Sequence, residues 1–167
     1  KGYRRATDMD VRAEREKLLA EIRAHTEPEY RQGMTRIMRS ELAIYGVRVP
    51  QLRAIARGWQ RADPGVTDET FLGLVEGLWQ GNSYEERALA IELLARYPRR
   101  ISALSWDNFD RWRHGLDNWG LTDALATIAL GPWVLADPAR RLDHLRALIY
   151  DEHLWSRRLA LVATVPL

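Results

Sequence analysis

Cysteine is absent from the 167 residues, which removes disulfides, thiolate metal sites and thiol catalysis together. Phenylalanine occurs twice, and lysine stands only at positions 1 and 17, so 23 of the 25 basic residues are arginine. No apolar run approaches the roughly 18 residues that a membrane helix needs, and the charged stretch from Lys1 to Glu29 has no apolar core of a secretory signal. These absences leave a chain expected to act in the cytoplasm. What is present suffices for one folded domain over residues 1–167, since 46% of the residues are hydrophobic and 29% charged. The net charge is only +2, yet it is unevenly spread. Between Arg31 and Arg61 seven arginines (31, 36, 39, 48, 53, 57, 61) face one acid, Glu41, whereas Asp8 to Glu29 carries seven acids against four bases. Further pairs stand at Arg99–Arg100, Arg140–Arg141 and Arg157–Arg158. Arginine offers two parallel donors to a phosphate, so such asymmetry suits a nucleic-acid backbone held on one face; solvated helix faces account for the same pattern.

The apolar spacing is helical almost throughout. It predicts a first helix from Asp8 or Asp10 through Leu18, Leu19 and Ile22, and a second with Met34, Ile37, Met38 and Leu42 on one face. Pro50 opens a third through Trp59, and Thr67 or Asp68 caps a fourth carrying Phe71, Leu74, Val75 and Leu78. Ser83 with Glu86 reads as a capping box ahead of Leu89 to Leu94, ended by Pro98. A short helix follows from Ser105–Trp106 to Trp112. Asn118 caps the next, Trp119 to Leu130, which Gly131–Pro132 is expected to stop. Asp137–Pro138 opens another, and the last begins near Glu152 and reaches Val162. No strand and no alternation of strands with helices is visible. The helices fall into pairs, and Glu86–Ala90 reads against Thr122–Ala126 at a shift of 36 and Arg157–Leu161 at a further 35. Helix pairs repeating at that period indicate an α-solenoid. The apolar run from Ala160 to Leu167 lacks the polar outer face of a capping repeat, so the fold is expected to continue past it.

Few residues offer chemistry. The histidines at 25, 114, 144 and 153 show no paired ligand spacing, Asp8–Met9–Asp10 lacks the glycine and glutamate of a calcium loop, and no phosphate-binding or nucleophile-elbow motif occurs, so neither metal nor cofactor is expected. Trp119 and Asp123, four apart, project from one face of their helix. The repeat shifts place Arg87, Asp123 and Arg158 at matching positions on successive repeats, where they would line one concave surface. Trp59, Trp79, Trp106 and Trp112 read as packing between repeats.

Four segments carry a resemblance. They are Tyr45-Gly46-Val47-Arg48-Val49-Pro50-Gln51-Leu52-Arg53, Leu78-Trp79 with Glu85 to Leu93, Asn118-Trp119-Gly120-Leu121-Thr122-Asp123, and Leu154-Trp155-Ser156-Arg157-Arg158-Leu159-Ala160. In this order and spacing, over roughly residues 28–167, the chain resembles the DNA alkylation repair glycosylases built of HEAT-like repeats (the AlkD-type enzymes). The resemblance implies an all-α solenoid with a concave basic face, acting on double-stranded DNA that carries alkylated bases. It implies a monomer, bacterial, cytoplasmic and nucleoid-associated when bound, with no membrane partner. It implies Asp123 as the catalytic carboxylate, Trp119 as its indole partner, and Arg158 as the arginine that holds a phosphate beside them. Arg157, Trp155, Arg48, Arg53 and Arg87 are the other DNA-contacting candidates. N3- and N7-alkylated purines are cationic and leave without protonation. A carboxylate near C1′ then stabilises the positive sugar by several kcal/mol in a water-poor site, and an indole face adds ~0.5–2 kcal/mol. The damaged base is expected to stay near the duplex rather than enter a deep pocket. Two departures stand out: Ile37 occupies the lesion-contact position where the family has an aromatic residue, and the family's tryptophan from a later repeat has no counterpart, as if C-terminal repeats were lacking. The alternative is a catalytically silent helical-repeat module that binds DNA or a protein partner, although such a module has no use for a carboxylate on a phosphate-facing surface.

Overall fold

The structure is a computed structural model, described here over residues 10–165. Eleven α-helices account for the ordered elements among these residues: α1 (Val11–Ala24), α2 (Pro28–Met38), α3 (Val49–Ala62), α4 (Asp68–Trp79), α5 (Tyr84–Arg96), α6 (Pro98–Ile101), α7 (Trp106–Arg113), α8 (Trp119–Leu125), α9 (Gly131–Ala136), α10 (Pro138–Leu148) and α11 (Leu154–Val162). The protein is all-α, as the periodicity requires. A single isolated bridge, Ala43 to Ser83, lays the chain after α2 beside the chain before α5, through Ala43 N–H to Asn82 O and Tyr84 N–H to Ala43 O, both 2.9 Å.

Local chemistry sets the boundaries. Asp10 caps α1 by accepting from the N–H groups of Arg12 and Ala13; Asp8 and Leu167 lie outside the described residues. Proline stands in the first turn of α2, α3, α6 and α10, where a missing N–H costs nothing. Ser83 caps α5 through the Glu86 N–H at 3.1 Å. The Glu86 carboxylate, however, takes the Ser83 hydroxyl and the Arg15 guanidinium instead of returning to the cap backbone. The reciprocal box is formed by Ser105 and Asn108 at the start of α7.

Further expectations are corrected. Helix α2 ends at Met38, with Arg39 in the left-handed region at φ 48°, so Leu42 lies in the following loop. Ile37, on α2, is 59% exposed. Gly131–Pro132 does not stop the helix begun at Trp119. Proline cannot donate to the carbonyl of Ile128, and its ring crowds that carbonyl. The backbone widens instead into a π-helical segment, Ala126–Leu130, with the Gly131 N–H on Ala126 O, and continues as α9 to Ala136. Trp119–Ala136 is thus one continuous helical run of 18 residues, apolar enough on average and long enough to cross a membrane, which corrects the expectation that no stretch approaches that length. Its Leu121, Leu125, Ala126, Ala129, Leu130 and Val134 are buried against other helices, which accounts for that apolarity.

The helices pack through a chain of neighbours. Helix α3 packs on α5, α5 on α8 and the π segment, and α8 on α11, while α4 backs α5 and α1, and α10 backs α11. Leu52, Leu89, Leu125 and Leu159, nearly inaccessible, mark successive layers of the core. Each such leucine contributes about 1.5–3 kcal/mol relative to exposure. Between layers, Trp79 and Trp112 pack at 5.9 Å and Trp59 meets Phe71 at 6.4 Å, in keeping with a packing role for these tryptophans.

Candidate functional site

Helix α8 begins the site. Asn118 caps it, its Oδ1 accepting from Leu121 N–H at 2.9 Å. Trp119, the first helical residue, is 41% exposed. Gly120 sits at a close approach, since a Cβ there would lie 2.6 Å from Tyr84 Oη and 2.9 Å from Met38 Cε and would make those side-chain ends shift. Its lack of a side chain brings the head of α8 against the end of α2 and the start of α5. Asp117, just ahead of the cap, accepts from Ser40 Oγ at 2.7 Å, Glu41 N–H at 2.7 Å and Asn118 Nδ2 at 2.8 Å. Burial alone would raise its pKa, but these hydrogen bonds, with the Arg87 charge, bring it below the usual carboxylate range.

The juxtaposition opens a cleft of about 450 Å³ walled by α2, α3, α5 and α8. Ile37 and Trp119 both line it, so the structure brings the residue expected to face a lesion and the indole to one place. The walls repeat: Leu52, Ala88 and Ala124 line it at intervals of 36, and Ile91 and Glu92 on α5 are followed 36 residues later by Thr127 and Ile128 in the π-helical segment. The lining is mostly apolar, with Arg53 and Glu92 its charged members, paired at 3.3 Å.

Asp123 lies one turn beyond Trp119, partly exposed, and neither buried in the interior nor part of the cleft lining. Both its oxygens are held by Arg158 of α11, Nε to Oδ1 and Nη2 to Oδ2, each at 2.7 Å. That hydrogen bond, opposed by slight burial and aided by the carboxylate charge, raises the Arg158 pKa. Arg158 in turn lines a second cleft, of about 490 Å³, with Trp155, Arg157, Leu154 and Leu161. The Asp123–Arg158 pair therefore ties α8, which walls the first cleft, to α11, which lines the second.

The remaining candidates are placed apart from this pair. Arg87 is turned away from it: partly buried, it donates to the carbonyls of Gly81 and Gly115 and lies over the Trp79 ring, and desolvation lowers its pKa. The three matching repeat positions are thus two in contact and one committed to backbone. Arg157 donates to Asp151 O at 2.7 Å and Glu152 O at 2.8 Å, closing the turn before α11. Arg48 pairs with Glu27 at 2.9 Å and lies 4.4 Å from the Tyr30 ring at the cleft edge. Trp155 is half-buried against the core. Among the described residues no group of three His, Cys, Asp or Glu side chains is placed to hold a metal.

Sequence reasoning missed Glu85, which is fully buried and accepts from three successive backbone N–H groups, Tyr45 at 3.0 Å, Gly46 at 2.8 Å and Val47 at 3.2 Å. It pins the turn into α3, where Gly46 has φ 82° and a Cβ would lie 2.5 Å from Arg31 Cβ. The glycine–proline turn and the glutamate were both in view as separate motifs; only the fold joins them.

Packed helices presenting an apolar cleft beside an ion-paired aspartate define an all-α protein with an Asp123–Arg158 pair between α8 and α11. The chain belongs to the DNA alkylation repair enzyme family, whose pattern matches residues 18–167. Its fold is similar to that of a solved structure described as a predicted DNA alkylation repair enzyme from Enterococcus faecalis, with a TM-score of 0.64 and 22% identity over 84% of this chain. The chain spans 65% of that structure's length. No curated protein matches the sequence.

Proposed function

We propose that the protein is a DNA glycosylase that excises cationic N3- or N7-alkylated purines from duplex DNA, acting as a cytoplasmic bacterial monomer without metal or cofactor. The observation that carries this reading is the contact between Asp123 and Arg158, two 2.7 Å bonds joining residues from separate motifs, with Trp119 exposed one turn away. The alkylated base leaves as a neutral purine, so no general acid is needed. Asp123 supplies negative charge where the sugar becomes an oxocarbenium ion and orients the water that adds to C1′. Trp119 presents its ring face to the cationic sugar edge. Arg158 holds a phosphate next to the lesion. Ile37 offers aliphatic surface across the cleft, where the family has an aromatic ring.

The test is release of 7-methylguanine from methylated duplex DNA. The wild-type chain is expected to release it, and Asp123→Asn to lower the single-turnover rate by about 10²–10³-fold, as for loss of one preorganised electrostatic group, while still binding the duplex. Equal rates for the two proteins reject the catalytic assignment. The silent binding module is favoured by the neutralisation of Asp123 in the free protein; it predicts duplex binding with no release by either protein.

A further inference from the structure

A carboxylate on a surface that receives DNA meets an electrostatic difficulty, because it repels the phosphates whose neutralisation drives binding. In the free protein this difficulty is cancelled, since both Asp123 oxygens are taken by Arg158. The same pair has a cost for chemistry: a carboxylate locked to a guanidinium presents little net field to a developing cation. We propose that Arg158 is a latch on Asp123, released when a DNA phosphate takes the guanidinium in its place, so that the negative charge at Asp123 is exposed only once the backbone is seated. This rests on the glycosylase reading of Asp123.

The geometry supports the exchange. The Nε/Nη2 edge that grips the carboxylate is the edge that fits two phosphate oxygens. Arg158 is 44% exposed, so an incoming phosphate reaches it without unpacking the core. Among the described residues Asp123 has no other side-chain donor, so its release is complete once Arg158 leaves. The neighbouring Arg157 is committed to the Asp151 and Glu152 carbonyls and does not replace it. Arg53 and Arg48 carry carboxylates of their own, Glu92 and Glu27, but neither acid sits beside Trp119 on α8. Only the 123–158 exchange couples phosphate binding to charge at that helix face.

The experiment is a double-mutant cycle on binding to undamaged duplex DNA, which requires no excision. Affinities are measured by fluorescence anisotropy at one fixed salt concentration for wild type, Asp123→Asn, Arg158→Ala and the double variant. The latch predicts that Asp123→Asn tightens binding roughly fivefold or more in the wild-type background, the size of an ordinary coupling between linked sites, because phosphate no longer competes with the carboxylate for Arg158. In the Arg158→Ala background the same change is expected to matter less than about twofold, since nothing remains to be released. Equal tightening in both backgrounds means simple repulsion and overturns the latch; so does no tightening in either. If the cycle shows coupling but wild type releases no alkylated base, the exchange stands as a binding device and the glycosylase reading fails.

Discussion

Single side chains decide whether the head of α8 stays where the site needs it, and Asp117 is the clearest case. Its carboxylate accepts from Ser40, Glu41 and Asn118, fastening the loop after α2 to the start of α8. Its pKa is lower folded than unfolded, so the stabilisation is complete above the unfolded value near 3.9 and is lost as pH falls toward the folded value. Asp117→Asn is therefore expected to destabilise by roughly 1 kcal/mol at neutral pH, allowing for solvent screening. The gap to wild type should close below about pH 4, as the wild-type carboxylate protonates. Thermal denaturation across that pH range checks it, and a gap that does not narrow in acid shows that Asp117 does not act as an ion. Trp119 and Asp123 were legible from the sequence because a four-residue spacing fixes a shared helix face. Asp117 was not, because its partners lie 76 and 77 residues away and only the close approach at Gly120 brings them together.

Among the elements, the turn between α2 and α3 depends on one buried anion. Glu85 accepts from three consecutive amides, of which those of Gly46 and Val47 are buried and that of Tyr45 partly buried. Truncation to alanine leaves the buried Gly46 and Val47 amides unmet, and each such loss costs about 1–3 kcal/mol, with partial relaxation. Glu85→Ala is expected to lower the unfolding free energy by about 3 kcal/mol or more, and Glu85→Gln, which keeps one oxygen, by less. Urea denaturation that finds the alanine variant within about 1 kcal/mol of wild type would show that the turn holds itself. The helix pairs and most caps followed from periodicity and from Ser, Asn, Asp and Pro at their starts. The passage of the helix through Pro132 did not, since proline in a helical pattern normally marks a stop. The π turn is sustained by the burial of Trp133 and Val134 beyond it, which is information about the assembled core.

Across the whole molecule, the arginines divide into those that carry an acid partner and those that do not. Arg48, Arg53 and Arg158 each carry a carboxylate partner. Among the described residues, Arg57 and Arg61 enter no ion pair, and they follow Arg53 at four-residue steps along the exposed face of α3. A phosphate reaching them displaces only water and counterions, whereas one reaching Arg158 must first displace Asp123. Arg57 and Arg61 are thus positioned to supply sequence-independent affinity, with each phosphate neutralised adding about 0.9 to the slope of log affinity against log salt. The double change Arg57→Ala with Arg61→Ala is expected to weaken binding to any duplex alike and to reduce that slope by about 2. The single-turnover rate at saturating protein should be unchanged, because Asp123 and Arg158 are untouched. A salt titration of duplex affinity measures the first effect and base release at saturation the second. An unaltered slope would take α3 out of the DNA path and leave α8 and α11 to hold the duplex alone.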